Sequence, residues 1–104
     1  MESALRRIEG MIVTEADTVH DYVQLAFGRE VGISIYNEMK ILPGSTSLGA
    51  LIGKSVSGVK QGEDAIEIEF ADGTLLIVDM HPDAFGGPEA LQLNRVGYPP
   101  VIWN

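Results

Sequence analysis

The residues with the clearest capacity for chemistry lie in Asp79-Met80-His81-Pro82-Asp83, where an imidazole is flanked by two carboxylates. Such a group can take up a proton near neutrality or ligate a divalent metal. In a strand Asp79, His81 and Asp83 would share one face, but Pro82 favours a turn, and the spacing matches no recognised ligand pattern. A solvated turn accounts for the same residues. The second histidine, His20, stands beside Asp21.

Other catalytic arrangements are missing. The chain has no cysteine, which removes thiolate nucleophiles, disulfides and cysteine-ligated zinc. Ser45, Ser47, Ser55 and Ser57 sit in no Gly-x-Ser-x-Gly elbow, and no adjacent histidine supplies a base. Gly49, Gly53 and Lys54 do not meet the spacing of a phosphate-binding loop. Glu67 and Glu69 alternate with apolar residues, so they read as the wet side of a strand rather than an acid pair for glycoside chemistry. No catalytic residue, metal or cofactor is assigned.

The elements that would position these residues follow from a hidden regularity. Shifting the chain by 43 positions superposes Gly10 on Gly53, Val13 on Val56, Asp21 on Asp64 and Phe27 on Phe70. Val23, Leu25 and Phe27 fall on Ile66, Ile68 and Phe70, while Ile33 and Ile35 fall on Leu76 and Val78. Leu5, Leu48 and Leu91 share the step. The spacing predicts a single domain over 1–104 with an internal repeat, 1–43 and 44–86, and a C-terminal strap at 97–104.

Each unit reads as a short helix, a glycine, a strand and a hairpin. Alternation in Ile66-Glu67-Ile68-Glu69-Phe70 suits a strand with one buried face, and Asp72-Gly73 suggests a tight turn before Thr74–Val78. Tyr22–Phe27 and Val31–Tyr36 repeat this around Gly28-Arg29-Glu30, with earlier strands at Met11–Glu15 and Ser55–Lys60. Glu2–Ile8 and Leu48–Ile52 are the helical candidates, and Glu89–Arg95 fits either a strand or a helical turn. The expected fold class is α+β: two tandem hairpin units forming one curved antiparallel sheet of six strands, or a partly open barrel, with one or two short helices.

The same shift places His20 on Glu63 and Glu38 on His81. A pseudo-twofold axis would bring these four to related positions, so the candidate binding residues are His20, Glu38, Glu63, Asp79, His81 and Asp83. Surface residues at strand ends explain them as well. Tyr98, Ile102 and Trp103 in the strap are interface candidates, with packing back onto the domain as the plainer alternative.

Formal net charge is −8, from four basic and seven acidic residues in 1–43 and three and eight in 44–104. Such a surface opposes direct nucleic-acid binding, favours solubility and would steer a basic protein partner. The charged start of the chain lacks the apolar core of a signal peptide and no run spans a bilayer, so the expected location is the cytoplasm, with no membrane partner.

The unit Gly53-x-x-Val56-x-x-Val59, followed by Ile66-x-Ile68-x-Phe70-x-Asp72-Gly73-Thr74-x-Leu76-x-Val78, resembles small uncharacterised bacterial α+β proteins of the kind encoded on mobile integron gene cassettes. The resemblance covers about half of the chain and reports hairpin geometry, so it transfers no functional residue. It implies an accessory protein of a mobile element. Together these features point to a noncatalytic binding or interaction module, expected to be a homodimer, that engages a protein or small molecule. The alternative is a small-molecule-binding protein or simple enzyme with a pocket between the two repeats.

Overall fold

The structure, a computed structural model, describes residues 4–104. Its described residues form nine strands: β1 (Glu15–Val19), β2 (Tyr22–Phe27), β3 (Val31–Ile35), β4 (Met39–Leu42), β5 (Val56–Gln61), β6 (Ala65–Phe70), β7 (Leu75–Asp79), β8 (Leu91–Arg95) and β9 (Tyr98–Trp103). They make two antiparallel sheets, one of five strands in the order β1-β2-β3-β8-β9 and one of four in the order β4-β7-β6-β5.

This corrects the α+β expectation. Ala4–Ile8, Leu48–Leu51 and Pro82–Ala84 are 3₁₀ turns, and no α-helix forms among the described residues. These segments are too short to offset the cost of helix nucleation, and Gly49 weakens one of them further. Their value lies in the apolar residues they insert: Leu5, Ile8 and Leu51 are all fully buried. Residues 1–3, including the start of the expected Glu2–Ile8 helix, lie outside the described residues. The single six-stranded sheet or partly open barrel is also replaced by two sheets.

Alternation dictates the core between them. Leu25, Ile33 and Leu93 face one another across β2, β3 and β8, and Ile68, Leu76 and Ile41 do so across β6, β7 and β4. Ile66 pairs with Val78, and Phe27 and Phe70 close the same apolar cluster. Each fully buried side chain of this size contributes about 1.5–3 kcal/mol relative to exposure.

Residues one repeat step apart occupy matching places where the halves meet. Gly10 donates its backbone N–H to Val56 O (2.8 Å) and Gly53 donates to Val13 O (2.8 Å). Val13 N–H donates to Lys54 O (3.0 Å), and Val56 N–H to Met11 O (2.9 Å), around an isolated bridge between Ile12 and Ser55. The expected Met11–Glu15 strand is therefore displaced: residues 11–13 bind the other half, and β1 begins only at Glu15. Thr14 and Ser57 then donate side-chain hydroxyls to Ala26 O (3.1 Å) and Glu69 O (3.2 Å), where each chain passes into its own sheet.

The fourth strand of each sheet comes from the other half. β4 follows the first hairpin but pairs with β7, whereas β8 follows the second hairpin and pairs with β3. The matching registers put Met39 opposite Val78 and Leu91 opposite Ile35. Met39 and Leu91 are thus counterparts, and the 43-residue relation ends after Tyr36 and Asp79, because a longer connection carrying the third 3₁₀ turn separates β7 from β8. The shared step of Leu91 with Leu48 has no counterpart in space. The Asp72-Gly73 turn is a three-residue loop, with Gly73 at φ +91° donating to Phe70 O while Phe70 N–H donates to Thr74 O. No helix among the described residues is long and apolar enough to cross a membrane.

Gly10 and Gly53 have φ of +87° and +92°, with open space around each added Cβ. Replacing either by alanine therefore costs backbone strain without a clash. Urea unfolding of Gly10→Ala and Gly53→Ala is expected to show matching losses of about 1–3 kcal/mol; clearly unequal losses would break their equivalence.

Candidate functional site

The expected site residues meet only in part. A recess of about 360 Å³ opens at the end of the four-stranded sheet, lined by Glu38, Met39 and Lys40 of β4 and its approach, Asp64 and Ala65 at the start of β6, Ile77 and Asp79 of β7, and His81. Glu38, Asp79 and His81 come together here. Asp83 lies in the third 3₁₀ turn, outside the lining, and adds only a weak favourable charge to His81.

Asp79 organises this corner through one oxygen. Its Oδ1 accepts the backbone N–H of His81 at 2.9 Å and lies 2.7 Å from His81 Nδ1. On the other side of the ring, Nε2 is 3.6 Å from Asp64 Oδ1, a separation suited to charge attraction rather than a hydrogen bond. The Asp79 hydrogen bond, then the charges of Asp79 and Asp64, raise the His81 pKa above 6.5. Hydrogen bonds from the His81 backbone and ring lower that of Asp79. Beneath them, buried Asn37 donates from Nδ2 to Asp79 O at 2.7 Å and fixes the end of β7.

The two carboxylates favour the cationic form of the ring. Asp79 engages Nδ1 on one side and Asp64 lies near Nε2 on the other. No hydroxyl or thiol side chain lines the recess to serve as nucleophile. Among the described residues no group of three or more histidines and carboxylates is disposed to hold a metal ion. When protonated, the ring links Asp64 of the β5–β6 turn to Asp79 at the end of β7.

His20 and Glu63 stay apart from it. His20 opens the two-residue β1–β2 turn at φ +56°, and Glu63 lies in the β5–β6 turn; these are matching positions in different sheets. Glu38 and His81 are not symmetry mates, because the 43-residue relation has ended before them. Asp64 is the residue that sequence reasoning misses, although its alignment with Asp21 is visible. In the five-stranded sheet the places of Asp64 and Asp79 are taken by Asp21 and Tyr36, which line a separate recess with Gly86, Gly87, Pro88 and Glu89.

The strap is strand β9. Trp103 Nε1 donates to Gln61 Oε1 at 3.1 Å, the Arg95 guanidinium lies 4.1 Å from the centre of the Tyr98 ring, and Ile102 remains exposed. Pro99 and Pro100 lack N–H groups and blunt this sheet edge.

A second, larger concavity lies on the outer face of the five-stranded sheet. Its trough of about 730 Å³ is floored by Ala26 and Gly32 and bordered by Glu15, Gln24, Arg29 and Asn94, among others. Further along the same face stand Ser34, Gln92 and the Tyr22–Tyr36 pair, whose ring centres are 5.2 Å apart. Tyr36 OH donates to Gln92 Oε1 (3.2 Å), and Gln92 Nε2 to Asn94 Oδ1 (3.0 Å). In the four-stranded sheet the counterparts of Ala26, Gly32 and Ser34 are Glu69, Leu75 and Ile77. The floor of the trough thus has small residues where the other sheet has Glu69 and Leu75. Part of the clearance has a backbone cause, since a Cβ on Gly32 would come within 3.2 Å of Leu25 O.

Comparison with protein-family models, curated proteins and solved structures finds no match. The likeness to cassette-encoded proteins therefore rests on the hairpin motif alone.

Because the folded-state pKa of His81 is raised, its contribution to stability is present below its ordinary value of 6.5 and is lost as pH rises through the higher folded value. The Asp79 contribution is present above the ordinary carboxylate range and is lost as pH falls through its lowered value. Titration of the His81 ring by NMR is expected to give a midpoint above 6.5, which falls in Asp79→Asn. An unchanged midpoint in that variant would remove the latch.

Proposed function

We propose that this chain is a noncatalytic binding module whose ligand surface is the outer face of the five-stranded sheet. The observation that carries this reading is the contrast at matching positions: Ala26 and Gly32 floor a trough where the other sheet has Glu69 and Leu75. Binding surfaces are typically concave and carry a few placed polar groups, and Gln24 and Asn94 supply amide donors and acceptors beside the small-residue floor. The ionic engagement of His81 supports a structural role for the one histidine in a recess.

A homodimer keeps one specific support. Val96, Tyr98 and Ile102, all on or beside β9, are exposed apolar or aromatic residues at one edge of the five-stranded sheet. A second copy would cover Tyr98 and Ile102, and at Val96 it would reach the rim of the trough.

A fragment screen read by amide NMR shifts tests the ligand surface directly. Hits are expected to cluster at Gln24, Ala26, Gly32 and Asn94, and to weaken in Ala26→Leu, which fills the floor. Hits confined to Glu38, Ile77 and His81 would instead move the binding site to the His81 recess.

A further inference from the structure

The cleared outer face is bordered by carboxylates along its length. On the four-stranded sheet Lys60 stands opposite Glu67 and Lys40 opposite Ile77, so Glu67 and Glu69 are balanced by two lysines. On the five-stranded sheet Glu15 and Glu30 line the trough, Asp21 and Glu89 line the recess at the other end, and Asp17 pairs with Gln24 between them. Arg29 is the one basic residue lining either hollow. The cleared face thus carries five carboxylates, with Arg29 as the basic residue in its hollows.

Resting on the binding-module reading, we infer that this face receives an extended, lysine- or arginine-bearing segment of a partner protein. Charge complementarity selects the sign of the partner. Gln24 and Gln92 stand on either side of buried Ser34 across the sheet, and amide side chains can both donate to and accept from a peptide backbone. At the far end the Tyr22–Tyr36 pair offers aromatic surface to a cationic side chain. The two hollows stand at opposite ends of β2, about 20 Å apart at the rise of an extended strand, which suits an extended chain better than a compact ligand.

The test uses the full chain and three defined probes: a capped octapeptide alternating lysine with threonine, the same peptide with glutamate for lysine, and maltohexaose. The basic peptide is expected to shift amides from Glu15 to Gly32 and at Gln92 and Asn94, and to bind more weakly as ionic strength rises. Glu15→Gln/Asp17→Asn should weaken it roughly tenfold, whereas Glu67→Gln/Glu69→Gln, which removes the same charge from the other face, should change it less than about twofold.

Ala26→Leu tests the floor with no change of charge, and should also weaken the peptide. Equal losses in the two charge variants would mean general attraction to an acidic protein and would overturn the inference. So would equal binding of the acidic peptide, or no shift on this face with any peptide. Maltohexaose shifting the same amides while the basic peptide does not would leave the binding module standing and remove only its partner class.

Discussion

The fold depends on one reciprocal set of backbone hydrogen bonds. Gly10 to Val56, Gly53 to Val13, Val13 to Lys54 and Val56 to Met11 join two short segments around the Ile12–Ser55 bridge. These bonds satisfy backbone groups that lie between the sheets, where neither sheet's own ladder reaches them. They also fix the angle at which each chain leaves for its own sheet, since Thr14 and Ser57 turn the corner immediately afterwards. Moving this contact by one residue would reverse the alternation of β1 and β5 and place polar residues in the core.

Exchange of the fourth strands makes the contact cooperative. β4 and β8 each complete the sheet begun by the opposite half, so neither sheet is assembled from one half alone. Edges created by this arrangement are managed in different ways. Pro99 and Pro100 occupy β9, while Glu9 Oε2 accepts the Val59 N–H at 3.0 Å on the edge of β5. Glu9 has Ile52 as its counterpart by the repeat step, so the same device is not copied to β1. The halves share a scaffold but have separate local chemistry.

Those differences explain which parts of the structure are legible in the sequence. Tyr22–Phe27 can be read to the residue because its alternation and bounding turn signals agree. Met39–Leu42 is missed because four residues carry too little periodicity, and its strand state depends on pairing with β7. The apparent helices fail for the opposite reason: Leu5, Ile8 and Leu51 are spaced for burial, but their segments are too short for hydrogen bonding to sustain an α-helix. At the site, Asp79 and His81 are near neighbours in sequence, whereas the approach of Asp64 requires the β5–β6 turn to fold back beside them. Alignment at a constant step also mispairs Glu38 with His81, since it cannot register the longer connection before β8.

The same divergence separates structural chemistry from exposed chemistry. On the four-stranded side, Asp79 and Asp64 hold the His81 ring, and Lys60 stands opposite Glu67. At the places of Asp79 and Ile77 the five-stranded side has Tyr36 and Ser34, and at the place of Leu75 it has Gly32. With Ala26 and Gly32 at the floor, Glu15 and Asp17 meet solvent beside a hollow rather than beside lysines. A scaffold whose two halves share their crossing geometry can tolerate this asymmetry, because the cleared positions point away from the core that both sheets must fill.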